Sequence, residues 1–424
     1  MIDYTVISLI LVFLAGYIFI TLEHFTKINK STVALIMAAV LWLILYEGGG
    51  SPLDITHALK DHAGEISQIV FFLLGALAIV ETINVHQGFN IISNAIEVTS
   101  KRKLLWVSGF IAFFLSAVLD NLTTTIVMVS LLAKLIEKGE DRLIIGGGIV
   151  IAANAGGAWT PIGDVTTTML WIGGQISTLT IMRDLFLPSI GCMLVSLYAL
   201  QFSLNKMPLK PKNTFHKNAI EPDGTLVFYL GVGTLISVPL LKILTGLPPF
   251  MGMLFGLGIM WLITDLLHAQ KEERGHLRVP SVLTKIDFAG VLFFLGILLA
   301  VDALDTAGLL KQLAVFLDQM IGQPDMIAAF IGIASAVVDN VPLVAATMSM
   351  YNLSQFPVDH SFWQLVAFCA GTGGSILIIG SAAGVVFMGL EKVDFLWYVR
   401  RISLAALLGY FAGIGIYQVV AWIH

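Results

Sequence analysis

Apolar runs of about the length that crosses a lipid bilayer recur from one end of this 424-residue chain to the other. A spanning helix needs roughly 20 apolar residues, and within a bilayer only helices and closed barrels satisfy every backbone hydrogen bond. Charged residues make up only 12% of the chain, against about 25% in an ordinary soluble domain. The sequence therefore predicts an all-α polytopic membrane protein, and its 40 glycines indicate closely packed or interrupted helices.

One hydrophilic linker, residues 205–225, divides the apolar runs into two groups. The N-terminus lacks the basic region and cleavage pattern of a signal peptide, so the first run is predicted to be a transmembrane helix. We expect N-terminal scaffold helices over 1–65, a first repeat over 66–204, further scaffold helices over 226–286 and a second repeat over 287–424. The predicted helical segments are 6–22, 32–46, 66–85, 104–119, 122–135, a glycine-interrupted run over 143–174, 185–202, 226–244, 251–267, 288–304, 326–338, 343–353, a second interrupted run over 365–390, and 402–422.

Three landmarks recur in the same order, which indicates an internal duplication. The stretch Ser116-Ala-Val-Leu-Asp-Asn121 returns as Ser335-Ala-Val-Val-Asp-Asn340, 219 residues later. Glu81 and Asp302 end similar apolar segments 221 residues apart, and two glycine-rich breaks, at 154–157 and 371–374, are 217 apart. A carboxylate inside an apolar membrane segment costs roughly 2.5–3.5 kcal/mol, so a retained one indicates a functional site.

The positions of the basic residues predict the orientation of the chain. If the N-terminus lies outside, 19 of the 23 lysines and arginines fall in cytoplasmic loops, as the positive-inside rule requires. The segments around the two Asp-Asn pairs are short for spanning, so 104–136 and 326–355 are predicted to be re-entrant hairpins. They enter from opposite sides, which makes the two repeats inverted and places the C-terminus outside as well. About eleven transmembrane helices are expected in all.

Oxygen-bearing side chains cluster at the hairpin tips and the glycine-rich breaks. A hard cation such as Na⁺ prefers carboxylate, amide, hydroxyl and carbonyl oxygens, and interrupted helices present such groups near the membrane midplane. The alternative is a proline and glycine kink relieved by threonines. We predict that Asp120, Asn154 and Asp164 hold Na⁺. The full candidate set for cation and proton binding is Asp120, Asn121, Thr124, Asn154, Thr160, Asp164, Thr166, Thr167, Ser335, Asp339, Asn340, Ser375 and Ser381.

Burial favours the protonated form of a carboxylate, so such a site can hold a proton until a cation replaces it. Glu81, Asp302 and Asp305 suggest a second acidic pair, a proton path or simply the polar ends of their helices. His86 could sense pH, or it could be a helix-end histidine at the membrane interface. No cofactor motif such as a Walker sequence or a dinucleotide fingerprint occurs in a suitable context.

At these residues the chain resembles the NhaD-type sodium/proton antiporters of the ion transporter superfamily. The resemblance implies a homodimer of eleven-helix protomers, each with a scaffold and a transport domain, that exchanges Na⁺ or Li⁺ for H⁺ by an elevator-like movement. The first hairpin tip of this chain has a single acid, Asp120, and not two adjacent acids, because the preceding residue is Leu119. The motifs that carry the resemblance are 71–81, 116–125, 153–167 and 335–342, and the family's essential polar positions fall on Glu81, Asp120, Asn154, Asp164, Thr166, Thr167, Asp302, Ser335, Asn340 and the serines 375 and 381.

Two other functions are compatible with parts of this pattern. A dicarboxylate or oxyanion carrier, for arsenite for example, would share the superfamily, but paired carboxylates at the site would repel an anion. A membrane enzyme with paired acids would not require an inverted duplication. The expected setting is a bacterial inner (plasma) membrane with lipid around the protein and no nucleic-acid partner.

Overall fold

The structure, a computed structural model, describes residues 4–48, 51–94, 100–204, 220–269 and 272–423. Throughout these ranges the regular structure is helical, with no β-strand. The predicted all-α polytopic class is therefore confirmed. Most of the predicted hydrophilic linker, with its four lysines, lies outside the described residues.

The helices of the first half follow the predicted apolar segments closely. The main difference is the third long helix, which begins 14 residues before the predicted position 66. The added residues are rich in Asp, His, Lys and Glu, which a search for apolar runs excludes. The helices are α1 (Tyr4–Thr21), α2 (Glu23–Thr26), α3 (Lys30–Glu47), α4 (Pro52–Val85), α5 (Asn90–Asn94), α6 (Lys101–Leu119), α7 (Asn121–Leu135), α8 (Glu140–Gly157), α9 (Val165–Ile172) and α10 (Thr178–Leu200), the last followed by a 3₁₀ turn at Gln201–Ser203.

The second half has a similar order of elements and three α-helices that the hydropathy pattern does not predict, at 279–282, 309–320 and 395–401. The longest of them, 309–320, is amphipathic: Leu310 and Ala314 are buried while Phe316 and Met320 are exposed. The helices are α11 (Gly224–Thr245), α12 (Pro249–His268), a 3₁₀ helix (Glu272–Leu277), α13 (Val279–Val282), α14 (Phe288–Thr306), α15 (Leu309–Met320), α16 (Pro324–Ala334), α17 (Asn340–Met350), α18 (Ser361–Gly373), α19 (Ala382–Glu391), α20 (Phe395–Arg401) and α21 (Ser403–Ile423).

Within the described ranges, nine helices are long and apolar enough to cross a membrane. The two interrupted helices, α8 with α9 and α18 with α19, add two membrane-length elements. Leaving out α6, which belongs to the first predicted hairpin, the described ranges give ten such elements besides the two hairpins, against about eleven expected. One of the nine is α6, the first arm of the first predicted hairpin, which has 19 residues. Its length alone therefore does not separate a re-entrant arm from a crossing. The arms of the second hairpin, α16 and α17, have 11 residues each.

The membrane helices pack as two groups. The flanking bundle consists of α1, α3, α4, α11, α12 and α14, while the hairpin bundle consists of α6–α10, α16–α19 and α21. The two groups touch where α14 packs against α17, α11 against α6 and α4 against α9. The interrupted helices and hairpin tips of the described ranges belong to the hairpin bundle.

Helices α4 and α14, which the sequence duplication aligns with each other, run in opposite directions. His62 of α4 lies beside Asp302, at the end of α14, and Glu81, near the end of α4, lies close to Lys285, just before α14. Opposed directions of aligned helices are what inverted repeats require. The geometry thus supports the predicted inversion.

Candidate functional site

Four helices of the hairpin bundle begin at the polar residues that interrupt the apolar runs. Asp120 accepts a hydrogen bond from the Thr123 amide (2.7 Å) at the start of α7, and Asp164 accepts one from the Thr166 amide (2.9 Å) at the start of α9. In the second repeat Asp339 begins α17 and Ser381 begins α19 in the same way. Oxygen-bearing side chains at these positions satisfy helix N–H groups that would otherwise lack partners.

Glycines let the interrupted helices approach the hairpins closely enough to share backbone contacts. A Cβ at Gly156 would overlap the Phe113 carbonyl, and one at Gly373 would overlap the Gly332 carbonyl. Alongside these contacts, the Ser116 hydroxyl donates to Ala153 O (2.6 Å). In the second repeat the Ser335 hydroxyl donates to Ala370 O (2.9 Å). Equivalent residues of the two repeats thus make equivalent contacts, which supports the proposed duplication.

A buried hydrogen-bond network joins the two repeats at Asn154. Its side-chain oxygen accepts from Asn121 (2.9 Å), and its amide donates to Ser375 (2.8 Å) and Ser381 (2.9 Å). The Asn121 amide also donates to Asp164 (2.6 Å). All five side chains are buried. The structure therefore brings together, around one point, predicted site residues that lie more than 200 positions apart in the chain.

The two acids of the first repeat lie at this network in different ways. Asp164 accepts from the Thr166 hydroxyl (2.9 Å) as well as from Asn121, and the Asn340 amide is close enough to interact with its carboxylate. Asp120 binds Thr123 with both oxygens and is close enough to Asp164 for their charges to interact. Its φ of 116° with a ψ of 163° is a strained backbone conformation that is populated almost only by glycine.

Three of the seven predicted hydroxyl ligands donate to backbone carbonyls. Thr160 donates to Ala117 O (2.7 Å), and Thr167 donates to Asp164 O (2.8 Å). Like the Ser335 hydroxyl, the hydroxyls of Thr160 and Thr167 bind the backbone around the helix breaks. Their oxygen lone pairs remain available to a cation. The buried Thr124 hydroxyl has no hydrogen-bond partner among the described residues. Of the predicted hydroxyl ligands, it is therefore a strong candidate to gain a partner when an ion binds.

Asp339, like its counterpart Asp120, is close enough to Asp164 for their charges to interact, but it is also paired with a lysine. Its Oδ2 lies 3.3 Å from the ammonium of Lys30, on the flanking bundle. The sequence analysis missed Lys30 as a site residue, because a lysine at the start of an apolar helix is also an ordinary topology signal. The ring of Phe293, 4.2 Å from the same ammonium, was missed as well.

The second group of predicted acids is dispersed along the flanking bundle. Asp302 lies beside His62 and near Asp305 and Glu65, whereas Glu81 accepts from Asn84 (3.1 Å). Because Glu81 is 16 residues beyond Glu65 on α4, it lies about 24 Å along the helix at ~1.5 Å per residue. Of the three alternatives, the structure does not support an acidic pair of Glu81 with Asp302, since the opposed helices place these equivalent positions at opposite ends. A proton path and polar helix ends stay predictions.

His86 ends α4, as predicted, and it is completely buried. Its Nδ1 lies 2.8 Å from Thr82 O and its Nε2 lies 3.0 Å from Nε2 of His268. Whether it senses pH stays a prediction.

Sodium at this site would be a transported substrate held mainly by neutral oxygens and two acids. Within the part of the chain that the structure describes, no cluster of three or more His, Cys, Asp or Glu side chains could hold a metal ion. The oxygens of Asn121, Asn154, Thr124 and the serines complement Asp120 and Asp164, which suits a weakly held, exchangeable monovalent ion.

Comparison with known proteins gives the family. A family model described as "Citrate transporter" matches residues 17–359. The chain is 53% identical to "Sodium/proton antiporter 1" of Arabidopsis thaliana over 99% of its own length and 73% of that protein's. It is 30% identical to "Na(+)/H(+) antiporter NhaD" of Vibrio cholerae over 96% and 90% of the two chains. The chain belongs to the NhaD-type sodium/proton antiporter family.

The predicted family is therefore confirmed. Another relative of this NhaD-type chain, "Sodium/proton antiporter 2" of Arabidopsis thaliana, is 52% identical over 97% of the chain and 98% of the plant protein. The matches to these antiporters cover 96–99% of the chain and so extend over both repeats. The family model ends at residue 359, before Ser375 and Ser381.

Proposed function

We propose that the protein is a secondary antiporter that exchanges Na⁺ or Li⁺ for H⁺ at the Asn154 network. The observation that carries the proposal is the buried Asp164, with the half-buried Asp120 close to it, beside a set of amide and hydroxyl oxygens drawn from both repeats. The names of the relatives agree with this activity. No cofactor is required, because the ion gradients supply the driving force.

The exchange follows from the chemistry of the carboxylates. In a buried site the protonated form is favoured, so Asp164 and Asp120 hold a proton when no cation is present. An arriving Na⁺ is stabilised by the ionised carboxylates and releases the proton. For Asp164 to bind a cation, the Asn121 amide that now donates to it has to rotate and present its oxygen, and the Asn154 amide provides a second oxygen nearby.

Two inverted repeats meeting at one site support an alternating-access movement. We propose that the hairpin bundle is the transport domain, that the flanking bundle is the scaffold, and that the hairpins are re-entrant. By the distribution of basic residues both termini lie outside. We propose that it works as a homodimer in a bacterial inner membrane.

A second candidate is transport of citrate or another oxyacid, because the matching family model is described as a citrate transporter. A tricarboxylate would require cations or helix N-termini free of acids at the binding point. Here the starts of α7, α9 and α17 each carry an aspartate. The geometry therefore favours cation binding over anion binding.

Purified protein in proteoliposomes with an acid-inside pH gradient tests the proposal. Na⁺, Li⁺, K⁺, citrate and succinate are added in turn, and a pH-sensitive dye records the gradient. We expect Na⁺ and Li⁺ to collapse it and both acids to have no effect. Uptake of radiolabelled citrate without Na⁺-driven proton movement would contradict the proposal and support the second candidate.

The matched variants are Asp164→Asn and Asp287→Asn. Both aspartates cap a helix with a side-chain oxygen, but Asp287 caps α14 outside the network. Asparagine preserves both caps and removes the charge. Asp164→Asn is expected to abolish Na⁺-driven exchange, while Asp287→Asn keeps it. Equal activity of the two variants would exclude Asp164 as the exchanging group.

A further inference from the structure

The ion pair between Lys30 and Asp339 bridges the two bundles. Lys30 is the first residue of α3 in the flanking bundle, and Asp339 precedes α17 at the tip of the second hairpin. Their charged groups are 3.3 Å apart, and the two side chains are only 28% and 17% exposed. The pair thus ties a proposed moving element to a proposed fixed one, in addition to the packing of α17 against α14.

The surroundings of Lys30 hold its ammonium in this place. The Lys30 backbone amide donates to the Glu23 carboxylate (3.2 Å). The Asn29 side chain caps α3 by accepting a hydrogen bond from the Ser31 amide (2.8 Å). The ammonium also lies 4.2 Å from the centroid of the Phe293 ring, a favourable cation–π arrangement. Asp339 therefore has a positioned cationic partner, whereas Asp120 and Asp164 have only neutral hydrogen-bond donors.

A cavity of about 680 Å³ leads to this pair, and Lys30 and Asp339 both line it. Its other charged lining residues are Glu23, Lys392 and Asp394. These residues lie in segments predicted to be cytoplasmic. With the N-terminus outside, the cavity therefore opens toward the cytoplasm. A cation that enters it meets Asp339 already occupied by Lys30.

We propose that Lys30 is a tethered cation that neutralises Asp339 in place of the transported ion and holds the second hairpin against the flanking bundle until that ion binds. Lys30 is a positioning residue, because it acts through Asp339 and not on the ion. This inference rests on the proposed Na⁺/H⁺ exchange. Its consequence is that a relative movement of the bundles has to separate two opposite charges, which a buried environment makes unfavourable unless a cation takes over at Asp339.

The exchange kinetics of four variants in proteoliposomes test this role. Lys30→Gln frees Asp339 from competition, so the half-saturating Na⁺ concentration is expected to fall about fivefold or more, the scale of a typical coupling. Asp339→Asn leaves the Lys30 ammonium without its counter-charge, so the half-saturating Na⁺ concentration is expected to rise. The double variant, with both charges removed, returns toward the wild type, and Lys30→Arg, which keeps the charge, stays near it.

A matched control is Lys242→Gln. Lys242 also bridges the bundles, donating to Trp171 O (2.7 Å) and packing on the Trp171 ring, but it faces a carbonyl in place of a carboxylate. Its loss is expected to leave the half-saturating Na⁺ concentration unchanged. If both glutamine variants shift this concentration equally, the effect comes from bridging in general and the tethered-cation role is wrong.

Other outcomes are equally decisive. The inference would be overturned if Lys30→Gln kept the wild-type half-saturating Na⁺ concentration, or if the effects of the two single variants on this concentration simply added in the double variant. Either result would leave exchange itself intact. Absence of Na⁺-driven exchange in the wild-type protein would instead contradict the proposed function. If Lys30→Gln fails to fold, Lys30→Arg and Asp339→Asn still test the inference, because it predicts that the first keeps the wild-type concentration and the second raises it.

Discussion

Asn154 is the residue on which the two halves of the site depend. It links Asn121 of the first repeat to Ser375 and Ser381 of the second through three hydrogen bonds. Because Asn154 is completely buried, water cannot easily replace it. The buried groups left without a partner after its removal would each cost about 1–3 kcal/mol.

We therefore expect Asn154→Ala to lower the thermal unfolding temperature and to raise the half-saturating Na⁺ concentration together. The control is Gln364→Ala, since Gln364 is another buried amide whose partners, Asp184, Asp359 and Tyr417, lie outside the site. Thermal unfolding in detergent and Na⁺ titration of exchange are the two measurements. If Asn154→Ala lost stability but kept its Na⁺ response, Asn154 would be a packing residue only.

At the scale of elements, the backbone contact between α8 and α6 sets the position of the first helix break. Gly156 lies against the Phe113 carbonyl with no room for a Cβ. Gly156→Ala is expected to cost about 1–3 kcal/mol through overpacking and to slow exchange by shifting Asn154. Thermal unfolding of Gly258→Ala is the comparison, because Gly258 lies in α12 with open space around its Cβ position. Alanine there should be neutral or stabilising by up to about 1 kcal/mol, so equal destabilisation of both variants would contradict this account.

Much of this element-level picture could be predicted from sequence, since apolar runs, glycine breaks and repeated acids are local signals. The helices on both sides of Asp120, Asp164 and Asp339 begin and end within a few residues of the predicted limits. Two features could not be predicted this way. Helix α15 is amphipathic, so a search for apolar runs does not find it. Lys30 and Asp339 are 309 positions apart in the chain, and only tertiary packing brings them together.

The same distinction applies to Glu81 and Asp302. They align in the proposed duplication, but the opposed directions of α4 and α14 place them at opposite ends of the helix pair. Sequence therefore predicts which residues are equivalent, and only the fold shows which of them meet.

At the scale of the whole molecule, the account requires the hairpin bundle to move against the flanking bundle. Lys242 of α11 reaches the end of α9, so cysteines at Lys242 and Ile172 can be joined by a flexible bifunctional thiol reagent. We expect the crosslink to stop exchange and its cleavage to restore it. The native Cys192 and Cys369 are buried, and the two single-cysteine variants treated with the reagent serve as controls. Full exchange by the crosslinked protein would exclude a relative movement at this contact.

The central claim is that Na⁺ and H⁺ compete for the carboxylates of the Asn154 network. Proton release on addition of Na⁺ to the purified, lightly buffered protein in detergent measures this competition directly. The account predicts release from the wild type and from Asp287→Asn, with a half-saturating Na⁺ concentration that rises as the pH is lowered, and loss of the release in Asp164→Asn. Absence of release from the wild type, or equal release from Asp164→Asn, would contradict it.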